Sequence, residues 1–233
     1  MSNEDRRISN AVRNTEILRL PRQALATFGS TNIAYYLLTM PVYKEMTRES
    51  NETVIRQGRV IAERPRIVTP YYMSRLEGFS QDARRYFNMA MKSYGPDTPG
   101  IFYSYRNEPQ DLTIVSEELG VVVERLNSEI DERNDPLVTI IKGQDELWDV
   151  SLIRLIYEIT RKSMRANLTQ LQEKGLTEMD AGGVPMDARL RIEELFTRTV
   201  RGEINPTELK AELEHWRLFE EYQDRFFAMF QKR

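Results

Sequence analysis

Few residues in this chain could do chemistry, and their spacing limits what that chemistry would be. His215 is the sole histidine and cysteine is absent from the 233 residues. Disulfides, zinc–cysteine sites, iron–sulfur clusters and thiol catalysis are therefore excluded, and a Ser-His-Asp triad would have to use His215. Glu212 and His215 stand as Glu-x-x-His. Di-iron bundles combine two such motifs with two further glutamates, so a chain with one histidine lacks half of the set. His215 is expected to lie beside Trp216 on an exposed helix face. Neighbouring acids at Glu117-Glu118, Asp131-Glu132 and Asp145-Glu146 read as solvated helix starts rather than a general acid–base pair, which needs one carboxyl in a special environment. Neither GxGxxG nor GxxxxGK[ST] occurs, which disfavours a conventional nucleotide-binding enzyme. No catalytic, cofactor-binding or metal-ligating residue is assigned, and no cofactor is expected.

Arginine is the remaining chemistry-bearing residue. Only seven of the 33 cationic residues are lysine, and arginine is the better partner for planar anions and ion-pair networks. Arg154, Glu158, Arg161 and Arg165 fall within about 60° of one another on a helical wheel. Arg161 and Arg165 could grip a phosphate or carboxylate. The alternative is a solvent-facing seam of i,i+3 and i,i+4 ion pairs, each worth about 0.2–0.5 kcal/mol. A second candidate anion surface combines Arg56 and Arg59 with Tyr103, Tyr105 and Arg106. These arginines could track phosphates while the tyrosines stack bases. The segment "GIFYSYRN" does not match the RNP1 pattern that would support this. The charge distribution permits either use. Residues 1–106 hold 16 Lys/Arg against 10 Asp/Glu, whereas residues 107–149 hold 3 against 12. Such halves can seek an external polyanion or neutralise each other within the fold.

The strongest interaction signal is at the C-terminal end. Leu209, Leu213 and Trp216 share one helix face, and Phe219, Tyr222, Phe226, Phe227, Met229 and Phe230 continue it over a wider arc. So aromatic a helix must be covered, either by the protein's own core or by a partner. Trp216, Phe219, Tyr222, Phe226 and Phe230 are the expected contacts of a homo-oligomer built about a two-fold axis.

The elements that must position these residues can be read from periodicity and turn signals. Residues 15–21 and 32–46 read as strands, the second interrupted near Pro41, with a short helix between them starting at Pro21 and ending before Gly29. Residues 52–68 read as a hairpin turning at Gln57-Gly58. Ser80 caps an expected helix that ends at Gly95-Pro96. Residues 101–106 read as a strand with 111–115 beside it, 117–133 as a helix and 136–143 as a strand apolar on both faces. A long helix is expected from Asp145 to about Lys174, with apolar side chains all round its first half. Two further helices cover about 186–201 and 205–230, the second opened by Asn205 and Pro206.

The expected architecture is α+β: a mainly antiparallel sheet, a long buried helix and a C-terminal helical hairpin. The expected organisation is a core domain over 1–174, a linker over 175–185 and the hairpin over 186–233. No apolar run reaches the roughly 20 residues of a membrane helix, and the N-terminus lacks the apolar core of a secretory signal. A cytoplasmic, soluble location without membrane contact is expected. The expected function is a non-catalytic protein-interaction or assembly module that self-associates through the aromatic C-terminal helix. The alternatives are nucleic-acid or polyanion binding through the Arg-rich N-terminal half and, more weakly, an enzyme acting on a small anionic substrate.

Overall fold

The computed structural model describes residues 3–41, 51–74, 92, 95 and 98–230. The expected helix starting at Ser80 lies outside the described residues. In chain order the elements are α1 (Asn3–Asn14), β1 (Glu16–Arg19), β2 (Thr31–Thr39), β3 (Thr53–Ala62), β4 (Arg66–Val68), α2 (Pro70–Ser74), β5 (Gly100–Phe102), β6 (Tyr105–Val115), α3 (Leu119–Arg133), β7 (Val138–Lys142), α4 (Trp148–Glu173), α5 (Met186–Val200), α6 (Pro206–His215) and α7 (Phe219–Ala228). The class is α+β with a mainly antiparallel sheet. Two compact units divide the chain, residues 1–64 with 103–167 and residues 65–102 with 168–233.

The first unit is built on a five-stranded sheet in the order β1-β7-β2-β3-β6. Only β2 and β7 run parallel. One sheet face meets α4 through Ile33, Tyr35, Leu37, Val60, Ile141, Leu152, Leu155 and Ile159. The other meets α3 through Leu38, Ile55, Ile140, Val122, Leu126 and Ile130. A strand covered on both faces carries apolar residues at successive positions, which is why "VTII" of β7 is legible.

Three local expectations in this unit are corrected. Gln57-Gly58 is not a turn, because β3 runs unbroken through it, and β6 shifts register there. Gly58 stands opposite Tyr35, whose ring occupies the space a Cβ would need. Residues 21–28 form no helix. Their backbone groups are taken by polar side chains of α4: the Leu25 N–H donates to Ser163 Oγ (2.9 Å), and Asn167 Nδ2 donates to the Leu25 carbonyl (2.9 Å). The helix expected from Asp145 begins at Trp148, because the Asp145 carboxylate is engaged elsewhere. The buried side of α4 carries Ser151, Leu152, Leu155, Ile159, Ser163, Asn167 and Leu171, while Ile153 and Tyr157 are each 60% exposed. The apolar residues that appear all round the wheel therefore divide into a core face and a surface patch.

The second unit pairs β4 with β5 and packs α2, α5, α6 and α7 around one core. The single helix expected over 205–230 is two helices. α6 opens as expected, with Asn205 Oδ1 accepting the Thr207 N–H (2.9 Å) and Pro206 in the first turn. It ends at Arg217, in the left-handed region at φ 61°. The Leu218 N–H reaches back to the Leu213 carbonyl (2.8 Å), a Schellman-type stop in which glycine usually stands. The Arg217 guanidinium lies 3.7 Å from the Tyr71 ring centroid and its Nε donates to the Tyr71 hydroxyl, so a tertiary contact holds the unusual residue. Residues 175–185 form a turn organised by Asp180, whose Oδ1 accepts the N–H groups of Gly182 (2.8 Å) and Val184 (2.9 Å).

Candidate interaction surface

The arginines proposed for anion binding lie apart, and most have acidic neighbours. In the first unit, Arg56 Nη1 lies 2.7 Å from Asp145 Oδ1 with both side chains largely buried. Thr39 completes the network, accepting from Arg56 (2.9 Å) and donating to Asp145 (2.6 Å), and the guanidinium sits over Trp148. This cluster ties β2, β3 and the approach to α4 together. Arg59 is exposed on β3 opposite Glu108. Arg106 is 69% exposed and pairs with Glu108 at 3.0 Å.

Tyr103 and Tyr105 are near-parallel, with ring centroids 6.4 Å apart. They face α4 rather than an open groove. The Tyr103 hydroxyl donates to Asn167 Oδ1 (3.1 Å), and the Tyr105 hydroxyl bonds the Thr160 hydroxyl. Burial pushes the Tyr103 phenol up to about 12 and raises that of Tyr105. On α4, Glu158 bridges Arg154 (3.2 Å) and Arg161 (3.0 Å), and both arginines are exposed. Arg165 is likewise exposed. The stripe is the solvent-facing seam that i,i+3 and i,i+4 spacing allows.

In the second unit, Glu212 lies on the inward side of α6, with His215 half-buried beside it. Glu212 is buried, accepting from the Tyr72 hydroxyl (2.9 Å) and Trp216 Nε1 (3.3 Å), with Arg66 at 4.0 Å and Arg191 at 3.9 Å. Burial, and then the adjoining carboxylate, hold the Tyr72 phenol far above its usual value, so it stays a donor. The Tyr72 ring stacks on Trp216 at 4.7 Å and tilts against His215 at 5.4 Å. Sequence reasoning missed this cluster. Its signal was an acid four residues before a tryptophan on an otherwise apolar helix face. Among the described residues no group of three His, Asp or Glu is placed to hold a metal, and no helix is long and apolar enough to cross a membrane.

The C-terminal aromatics divide by burial. Trp216 and Phe226, each 6% exposed, belong to the core of the second unit, with Phe219 and Tyr222 packed against it. Phe227 and Phe230 remain 48% and 47% exposed. Both rings stand edge-on to Phe226, at 5.7 and 5.6 Å. Phe230, with Phe196, Val200, Ile204, Ala228 and Met229, lines a groove of about 690 Å³. Arg225 forms one rim, stacked on Phe196 at 4.1 Å and bidentate to Glu193 at 2.6 and 2.7 Å. Comparison of the chain with protein-family models, with curated proteins and with solved structures finds no match.

Proposed function

We propose that the chain is a protein-assembly module whose second unit docks on a second copy of itself through the end of α7. The observation that carries this reading is an exposed aromatic and an apolar groove on the same helix end. Phe227 is half-exposed, and its neighbours Ala228, Met229 and Phe230 line a groove large enough for an aromatic side chain. The buried Phe226 ring holds Phe227 and Phe230 edge-to-face, so little side-chain freedom is lost when they bind. Such rigid aromatics are the residues that dominate interface energetics. A two-fold axis lets each copy's Phe227 enter the other's groove while Val200, 68% exposed, is covered alongside. The Glu193–Arg225 pair supplies the polar rim expected around an apolar centre.

The test is the mass of the full chain in solution, by light scattering after gel filtration. Wild type is expected to be oligomeric, and Phe227→Ala with Phe230→Ala is expected to be smaller at unchanged circular dichroism. Trp216→Ala or Phe226→Ala would be a poor probe, because truncating a buried aromatic costs about 3–5 kcal/mol. A monomeric wild type, or a double variant of unchanged mass, overturns the proposal.

A further inference from the structure

Among the described residues the first unit presents an unpaired sheet edge whose two halves are built differently. The sheet order gives β6 one hydrogen-bonded neighbour, β3, and its 11 residues make it the longest strand described. The half nearer Tyr105 carries devices that discourage a further strand. Arg106 and Glu108 place charge there, Pro109 has no N–H, and the register against β3 shifts beside Gly58, leaving Gln110 as a bulge. The half over residues 111–115 keeps only one charge, Asp111 at its start. It pairs regularly with β3, from Asp111 opposite Gln57 to Val115 opposite Thr53, and has no proline and no basic residue. Leu112 and Ile114 are each 53% exposed.

The direction of the backbone groups follows from the ladder. The Ala34 N–H reaches the Leu137 carbonyl and the Leu38 carbonyl takes the Gly143 N–H, so the even residues of β2 face β7 and the odd ones face β3. Leu37 is then the residue that bonds Arg56, its partner on β3. With the backbone groups of Arg56 turned to β2, Leu112 opposite it is turned outward, and so is Ile114. The Leu112 N–H accordingly finds its partner in its neighbour's side chain, the Asp111 Oδ1 at 2.9 Å.

We infer that residues 111–115 of β6 pair antiparallel with the same residues of a second copy, centred on Thr113. This register is self-complementary. It sets Leu112 opposite Ile114 of the other copy, so the outward N–H and C=O groups of the two residues exchange hydrogen bonds. Their exposed side chains become cross-strand neighbours on one face, and Thr113 meets its own copy on the other. The backbone bonds could be met by any extended strand; what favours a second copy is that Leu112 and Ile114 flank Thr113 symmetrically, so each exposed apolar side chain finds another opposite it. The Asp111 carboxylate competes for the Leu112 N–H, which keeps the association weak and reversible. This contact lies in the first unit and does not depend on the α7 groove.

The experiment uses the full chain carrying Phe227→Ala and Phe230→Ala, so that failure of either contact leaves the other readable. Amide hydrogen exchange is followed over a concentration series. The Ile114 amide is expected to become at least tenfold better protected as concentration rises, while the Thr113 amide, already bonded to β3, does not change. Leu112→Lys with Ile114→Lys, at exposed positions, should remove the concentration dependence without changing the circular dichroism. Asp111→Ala should bring protection in at about fivefold lower concentration, as expected for freeing one backbone donor on each copy at about 0.5 kcal/mol apiece. Ile114 exchange independent of concentration, or concentration dependence that survives the lysine pair, overturns the inference.

Discussion

Gly58→Ala should destabilise the first unit by about 2 kcal/mol. A Cβ at this position would stand 2.4 Å from Tyr35 Oη, 2.6 Å from Tyr35 Cζ and 2.7 Å from the Glu108 carbonyl oxygen. The Tyr35 side chain is 1% exposed, between Leu37, Val60 and the α4 residues of its core, so it has no open space to enter. Overpacking of this kind costs about 1–3 kcal/mol, and three simultaneous close contacts put the cost at the upper end. Replacing glycine within a strand returns roughly 0.5–1 kcal/mol of backbone entropy, which leaves about 2. The assay is urea unfolding followed by tryptophan fluorescence. Trp148 belongs to the first unit and Trp216 to the second, so a Trp216→Phe background reports the first alone. The midpoint should fall with the slope unchanged. Tyr35→Ala costs about 3–5 kcal/mol by itself, but adding Gly58→Ala to it should cost about half as much as in the parent, because two of the three contacts belong to Tyr35. A Gly58→Ala protein as stable as the parent, or costs that add without coupling, would refute the account of this position.

Two further perturbations test the second unit. Glu212→Ala should cost about 3 kcal/mol or more, since it removes an acceptor shared by Tyr72 and Trp216 and leaves the nearby arginines without their acid. Trp216 fluorescence during thermal unfolding measures it, and an unchanged midpoint contradicts the assignment. The pH dependence of the same unit follows from Asp180 and Glu193. Burial pushes the Asp180 carboxyl up, but the Val184 N–H, Arg189 and the Gly182 N–H together outweigh it and hold it below the usual value; Arg225 holds Glu193 low. Groups depressed in the folded state contribute stability that is complete above the unfolded carboxylate value near ~4 and is lost as pH falls through the lower folded values. Stability should therefore be level from about pH 7 to about 5 and decline below about 4, with a shallower decline in Glu193→Gln.

What was legible in the sequence depends on whether a residue's neighbours along the chain decide its role. β7 could be read because burial on both faces leaves a continuous apolar run, and the start of α6 because Asn205 and Pro206 are local signals. Gly58 could not be read, since the reason for glycine there is a tyrosine on the adjacent strand rather than a turn. Arg217 carries no local mark of a helix end, because its left-handed conformation is held by Tyr71 from α2. The turn-like residues 21–28 look helical by propensity but give their backbone bonds to Ser163 and Asn167, about 140 positions away. The candidate surface shows the same division. An aromatic C-terminal arc was visible, but the wheel gave no means of separating Trp216 and Phe226, which the unit covers itself, from Phe227 and Phe230, which it leaves half-exposed.

The charge asymmetry resolves within the first unit, and that bears on what the surface is for. The basic and acidic segments meet because β1 lies beside β7 and β3 beside β6. Arg19 reaches Asp131 on α3 at 2.5 Å, Arg56 reaches Asp145 at 2.7 Å, and Arg7 reaches Glu146 at 3.0 Å. Lys142 returns the exchange to Glu16 at 2.8 Å. Cations committed in this way are poor phosphate ligands, because each would have to leave an acid already in place, and a polyanion would meet Asp131, Asp145 and Glu146 at the same positions. The exposed apolar positions carry no such prior commitment. Phe230 in the groove wall, Phe227 on the same helix end, and the side chains of Leu112 and Ile114 on the β6 edge are apolar groups left in water, and covering them is favourable. The balance between spent charges and uncovered apolar residues is what supports the proposed contact with protein over one with nucleic acid.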